Sequence, residues 1–423
     1  MIVPIGVFIL TYVLMIMLPN HRYLVALASA GYYLIAGVLQ PADVLTAVDW
    51  NILLMLLGMM GTVSFFIETG MPDRMAQMLF SKAHNAKWAV ILLSLFAGVI
   101  SAFMDNVATV LMIAPVGLAA AKELKISPVA MLISIAVSSN LQGAATLVGD
   151  TTSIMLGGYA NMDFLDFFFM QGRPGIFWAV EFGALATVPV IMLLFRDGTQ
   201  AVNVKAKAEV SDYVPTWLLL LNMGLLICAS FLPQKPAMTN GLICFAIFIA
   251  CMIHSVLRRR DLKSVASAWK EMDVQTLLLL AALFVVIDAV RQIGLLDILA
   301  QTLISVGKGN LFVIYSLIVW GSVLCSAFID NIPFVATMLP VVSSLAAGMG
   351  CSPYVLYFGL LTGATLGGNL SPFGASANIA AIGILRREGH EVHNRDFFRI
   401  GVPFTLTAVT VGYLYCWFVW AGA

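Results

Sequence analysis

The sequence predicts an all-α polytopic membrane protein built from two inverted repeats, each with a re-entrant helical hairpin and a broken transmembrane helix. About ten spans plus two hairpins are expected. Three observations predict this. Hydrophobic residues make up 61% of the 423, charged residues 10%, and mean hydropathy is +0.97. Soluble domains average about 45–50% and 25%. Second, Ser101-Ala102-Phe103-Met104-Asp105-Asn106 recurs 225 residues on as Ser326-Ala327-Phe328-Ile329-Asp330-Asn331, and Pro115, Pro128 and Gly149 map onto Pro340, Pro353 and Gly374 without a gap. Third, the basic residues fall almost wholly on one side of the spans that hydropathy defines.

Taken in order, the uninterrupted spans are 2–18, 22–40, 50–69, 175–195, 216–234, 238–257, 274–290 and 400–421. Segment 2–18 lacks a basic leader and reads as a retained helix rather than a cleaved signal. Stretches 128–160 and 352–385 are crossed by Gly-rich polar sequence, and each reads as one broken span. Segments 88–120 and 310–346 carry the two Asp-Asn copies near their centres. At 1.5 Å per residue each half of these is too short to cross, which predicts hairpins with Asp-Asn at the tips. Segments 71–82 and 294–306 are amphipathic and are expected to lie in the interface.

With loop 258–273 placed inside, loops 19–22, 70–87, 121–127, 196–215 and 386–399 follow it. Together they hold 18 of the 22 Lys and Arg residues; Arg173, Lys235, Arg291 and Lys308 fall outside. Both termini are then external, in a cytoplasmic membrane. The two hairpins enter from opposite sides, so the repeats are inverted. The chain divides into N-terminal scaffold helices (1–49), a first repeat (50–195), a linker with two connecting helices (196–273) and a second repeat (274–423).

Some function classes drop out early. Lys+Arg and Asp+Glu balance at 22 each, so charge points to no nucleic-acid partner. The six cysteines form no CxxC pair, and the five histidines have no ligand spacing within a span, so neither a disulfide framework nor a metal centre is indicated. No nucleophile–base pair is visible, and an enzyme is not expected. Two matching apolar halves, each broken by polar and Gly-rich sequence, are the signature of a secondary transporter with its site at the bilayer midplane.

Four polar clusters are expected to meet there. The hairpin tips supply Asp105, Asn106 and Thr109, and Asp330, Asn331 and Pro333. The first break supplies Asn140, Thr146, Gly149, Asp150, Thr151, Thr152 and Ser153. The second supplies Asn369, Ser371, Gly374, Ser376 and Asn378. Glycine permits the break, and the freed backbone groups become ligands. Asp105, Asp150 and Asp330 add up to three negative charges, with no Lys or Arg in the same clusters. Such carboxylates must bind cations or take up protons. The coupling ion is therefore H+ or Na+, with Na+ expected near Asp105 and Asp330 and no cofactor. The Asp-Asn pairs could instead simply cap the second arm of each hairpin; their duplication beside the breaks favours ion or substrate duty. Glu68, Glu181 and Asp288 lack such context and read as interfacial or structural.

Four segments carry a resemblance: SAFMDNVATVLMIAPV (101–116), ATLVGDTTSIML (145–156), SAFIDNIPFVATMLPV (326–341) and GATLGGNLSPFGASANIAA (363–381). On these the chain resembles the ion transporter superfamily, in the branch of ArsB-type arsenite permeases, NhaD-type sodium/proton antiporters, the melanosomal P protein and citrate-transporter-like permeases. The resemblance covers nearly the whole chain. It implies a homodimer, a fixed scaffold domain, and a transport domain of hairpins and broken helices moving as an elevator. With the carboxylate-rich site, the expectation is a secondary transporter: proton-coupled antiport of a monovalent cation, or of an arsenite- or antimonite-type oxyacid, with a Na+-coupled di- or tricarboxylate carrier as the alternative and a channel on the same fold kept open as a different class. Two departures bear on substrate. Many relatives carry Gly-Asp-Pro-Pro-Asn where this chain has Gly149-Asp150-Thr151-Thr152-Ser153. The dicarboxylate carriers use Ser-Asn-Thr where this chain places acidic groups, which would repel a di- or trianion.

Overall fold

The computed structural model describes residues 2–124, 126–196, 198, 208–232, 235–259 and 263–422. Arg260, Lys125, Lys205 and Lys207, which the charge count used, lie outside them. Among the described residues the regular structure is helical, apart from a two-residue antiparallel pairing of 169–170 with 173–174 that the sequence did not suggest. Seven helices are long and apolar enough to cross a membrane, or nine if each of two bent pairs is one span. The protein is a multi-pass membrane protein.

Most expected spans appear with small shifts, as Trp50–Glu68, Ile176–Leu194, Thr239–Arg259, Val274–Gln292 and Asn394–Trp420. Ile2–Met17 matches its expected bounds to within a residue, but Arg22–Ile35 and Val214–Ala229 are shorter than the expected 22–40 and 216–234; the first two helices are joined by a turn at Pro19–His21 with a bend of 117°. Proline and the polar Asn20-His21 interrupt the helix there, and at 14 residues, about 21 Å, the second helix alone is short of a bilayer core.

Each Asp-Asn parts two helices, the arms of the expected hairpins: Ala86–Ser101 from Asn106–Leu124 and Leu311–Ser326 from Asn331–Met349. Their arms are unequal, which corrects the expectation that neither could cross. The second arms have 19 residues each and are long and apolar enough to span. The cause is the position of Asp-Asn: it starts the second arm instead of interrupting a helix midway. Both broken spans are present. Pro128–Gln142 is followed by a non-helical stretch and Thr151–Tyr159. Tyr354–Leu361 passes through a widened turn at Thr362–Leu366 and a tight turn at Gly368–Leu370 before Ser376–Arg387. The amphipathic segments are the helices Met71–Phe80 and Leu295–Val306, each entered through a left-handed glycine, Gly70 (φ 73°) and Gly294 (φ 75°). A side chain at either would be strained.

Two pairs of helices pack side by side. Trp50–Glu68 packs along Thr239–Arg259, and Val274–Gln292, its counterpart in the second half, packs along Arg22–Ile35. Between lipid-facing helices no hydrophobic gain drives association, so small residues set the approach. A Cβ on Gly58 would meet the Phe245 nitrogen at 2.6 Å. Beyond the bilayer core, Ser211 bonds back to the Thr69 carbonyl (2.9 Å), and Asp212 pairs with Arg258 and with His254 Nε2 (2.8 Å).

This packing is open to two tests. Gly58→Ala should cost about 1–3 kcal/mol through overpacking, read as a lower Tm in detergent. Gly224→Ala, inside the helix Val214–Ala229 where a Cβ meets nothing within 4 Å, should leave Tm at or slightly above wild type. Burial alone would raise the Asp212 carboxyl, but the Val214 N–H, His254 and Arg258 outweigh it and hold the group below its ordinary value. A carboxylate depressed by folding stabilises above its unfolded value, about 3.9, and loses that contribution as pH falls through the folded value. The Tm gap between wild type and Asp212→Asn should therefore be full at neutral pH and close below about pH 4.

Candidate functional site

Each hairpin tip is held by the adjacent break through the same bonds in both halves. Thr146 Oγ1 donates to the Ala102 carbonyl; 225 residues on, Ser371 Oγ donates to the Ala327 carbonyl. Ser153 Oγ donates to the Gly143 carbonyl (3.1 Å), and Asn378 Nδ2 to that of Gly368 (3.3 Å). A Cβ on Gly149 would lie 2.6 Å from the Gly143 oxygen and 2.9 Å from that of Ala102; on Gly374 it would lie 2.6 Å from the Gly368 oxygen. Only glycine lets these carbonyls approach.

The two breaks also meet each other. Asn140 Nδ2 donates to the Thr365 carbonyl (2.7 Å) and to Asn369 Oδ1 (3.1 Å), while its Oδ1 accepts from Asn106 Nδ2 (2.9 Å). Asn369 Nδ2 returns to the Val137 carbonyl (2.8 Å), and the Thr152 and Thr365 hydroxyls are 2.9 Å apart. Asn140 thus ties the first hairpin to the second break with no exposed surface of its own.

All three carboxylates sit at helix starts. Asp105 Oδ1 accepts from the N–H groups of Val107 (2.9 Å) and Ala108 (3.0 Å), and Thr109 Oγ1 donates to the Asp105 carbonyl. Asp150 accepts from the Thr151 N–H (2.7 Å) and from Thr152 Oγ1 (3.1 Å). Asp330 Oδ1 accepts from the Ile332 N–H (3.2 Å). Capping and cavity lining are therefore not alternatives here: the helix termini offset part of each charge, and the second oxygen of Asp105 remains for a ligand. Among the described residues Asp105 Oδ2 takes part in no hydrogen bond.

A cavity of about 660 Å³ lies against these groups. Asp105, Asn106, Asn140, Gly149, Asp150 and Thr151 line it from the first half, and Asp330, Asn331 and Ser376 from the second. Apolar side chains of Trp50–Glu68, among them Leu56, Met59 and Val63, form the opposite wall. The other expected site residues, Thr109, Thr146, Thr152, Ser153, Asn369, Ser371, Gly374 and Asn378, do not line it; they hold the tips and loops in place. A second cavity of about 770 Å³, bordered by Asp49, Asp163, Lys235, Asp288 and Arg291, lies toward the opposite ends of helices Trp50–Glu68 and Val274–Gln292.

Two features were not expected. Asp273 lines the first cavity and caps Val274–Gln292 through the Thr276 N–H (3.0 Å); its place just before a span was the available signal. The other corrects the reading that the carboxylates lack a counter-ion: Arg22 Nη1 lies 2.6 Å from Asp330 Oδ2. Nothing local in the sequence marks a partner 308 residues away. Among the described residues, no group of three His, Cys, Asp or Glu side chains is placed to chelate one metal ion. A cation here would be held by carboxylate together with amide, hydroxyl and backbone oxygens.

Against known proteins, a family model described as citrate transporter matches residues 12–363. An uncharacterized transporter of Mycobacterium bovis is 31% identical over 433 residues, covering 98% of both chains. The human P protein is 27% identical, matching 96% of this chain and 58% of its own length. Among solved structures, the YdaH transporter of Alcanivorax borkumensis, whose topology is described as unusual, superposes with a TM-score of 0.58 over 86% of this chain and 84% of its own, at 16% identity. That likeness shows the fold. The chain is a secondary transporter and belongs to the citrate transporter family within the ion transporter superfamily.

Proposed function

We propose that the protein exchanges a monovalent cation such as Na+, or an arsenite- or antimonite-type oxyacid, for protons across a cytoplasmic membrane. The observation that carries this reading is the convergence of Asp105, Asp150 and Asp330 on one cavity between the broken helices. Carboxylates at membrane depth need a proton or a cation, and a cavity beside them can supply either. If proton and cargo compete for Asp105, the loaded and protonated forms exclude each other and exchange is compulsory.

Movement is proposed as an elevator. The two halves share their tip-to-loop bonds at the 225-residue offset, which supports inverted repeats moving as one body against the paired helices. The distribution of Lys and Arg supports both termini being external and loop 258–273 being cytoplasmic. The first cavity would then face the cytoplasm, since it reaches Ile67 and Asp273 at the cytoplasmic ends of their helices. A homodimer completes the proposal.

One observation favours a second reading, Na+-coupled carriage of a di- or tricarboxylate. The start of Ser376–Arg387 has no side-chain cap, and Ser376 lines the cavity. An open helix N-terminus is a seat for an anion, provided Na+ first neutralises the carboxylates.

The purified chain in proteoliposomes, challenged in turn with Na+, Li+, arsenite and citrate, should collapse an imposed pH gradient with Na+, Li+ or arsenite. Asp105→Asn should reduce that response to background while still folding. Na+-dependent uptake of radiolabelled citrate, without cation/proton exchange, would replace this reading with the second. A flux that neither saturates nor shows counterflow would identify a channel. Asn140→Ala removes the tie between hairpin and opposite break. It should lower the exchange rate at least about tenfold, as misplacement of a positioned group does.

A further inference from the structure

The two Asp-Asn copies are equivalent in sequence but not in their surroundings. Asp330 Oδ2 meets the Arg22 guanidinium at 2.6 Å and accepts from Ser376 Oγ at 3.2 Å. Arg22 is itself fixed, because its Nε donates to the Met15 carbonyl (3.2 Å) at the end of the preceding helix. That helix is anchored on the same hairpin: Tyr12 donates to the Pro333 carbonyl (2.9 Å) and contacts the Thr337 hydroxyl. Both members of the ion pair are largely shielded, at 17% and 13% side-chain exposure. Arg22 is not among the residues lining the cavity, so it reaches Asp330 from behind while Asp330 faces the cavity from the front. Asp105 and Asp150 have no such partner: among the described residues neither pairs with a Lys or Arg.

We propose that Arg22 is a tethered counter-ion for Asp330, so that the duplicated carboxylates are divided in duty: the exchanging cation meets Asp105, beside Asp150, and Asp330 stays neutralised by the protein itself. This rests on the exchange reading above as far as transport is concerned; the ion pair stands without it. A close pair in low dielectric keeps both charges, whereas removing one partner leaves the other buried and uncompensated. A bare Asp330 would then be a second cation trap in the cavity wall, opposite the one on Asp105. Arg22 thus sets how many cations the empty site demands. It is a positioning residue, since it acts on the cargo only through Asp330.

The test uses the full chain. In proteoliposomes, Na+/proton exchange is compared for wild type, Arg22→Lys and Arg22→Met. Arg22→Lys, which keeps the charge, should stay within about threefold of wild type, and Arg22→Met should differ by at least about tenfold in rate or in half-saturating Na+. Equal behaviour of the two variants, both near wild type or both lost, would overturn the proposal. Thermal unfolding in detergent of Arg22→Met, Asp330→Asn and the double variant decides the pair without reference to transport. The double variant should lose less Tm than the two single losses added together, and strict additivity would overturn the pair. If Arg22→Met does not fold, the double variant must; failure of both counts against the proposal. If wild type exchanges none of Na+, Li+ or arsenite, the functional reading fails by itself, and the unfolding cycle still decides whether Arg22 and Asp330 are coupled.

Discussion

Carboxylates and broken backbone cannot sit unpaired within a hydrocarbon layer, and the centre of this protein is arranged around that cost. An ionised side chain at the middle of a spanning helix costs about 2.5–3.5 kcal/mol on insertion scales. A helix N-terminus returns about 0.3–1 kcal/mol, up to about 2 in partly buried geometry. Capping therefore offsets part of the cost for Asp105, Asp150 and Asp330 and leaves a remainder on each. For Asp330 the remainder falls to Arg22. For Asp105 and Asp150 no protein cation supplies it among the described residues, and the cavity beside them is where a mobile cation or proton would.

The remaining polar groups serve the loops more than the cargo. Thr146 and Ser371 bind the carbonyls of the hairpin tips, Ser153 and Asn378 close each loop on itself, and Asn140 with Asn369 binds the two halves. A buried donor left without a partner costs about 1–3 kcal/mol, so these side chains are as constrained as any ligand. Many lie deeper than the cavity wall. In a site assembled from broken helices, this is the support that holds a tip carboxylate in register with a moving ion.

The duplicated Asp-Asn, the glycine-rich breaks and the spans of 50–69, 175–195 and 274–290 were legible in the sequence because each is a local pattern. Hydropathy marks a span, a polar run inside it marks a break, and a repeat marks a pair. What was not legible depends on where helices start and bend and on contacts between distant segments. The length of the second hairpin arms follows from Asp-Asn starting a helix, and the bend between the first two helices from a three-residue turn. Arg22 looked like a topology charge in a short loop, and only packing brings it to Asp330. Asn140 stood in a run of polar residues with nothing to say that it, and not Gln142 or Ser138, would cross to the other half. The departure at Thr151-Thr152-Ser153 now has a local account: these residues continue the helix that Asp150 caps, and Thr152 bonds to both Asp150 and Thr365.

The central claim is that proton and cargo compete for Asp105. Its most direct test is proton release from the purified protein in weakly buffered detergent solution as NaCl, LiCl or arsenite is added, with choline chloride as control. Competition predicts a saturable release of protons that Asp105→Asn abolishes. Binding of any of these solutes with no proton release across the pH range where the protein is folded would contradict it.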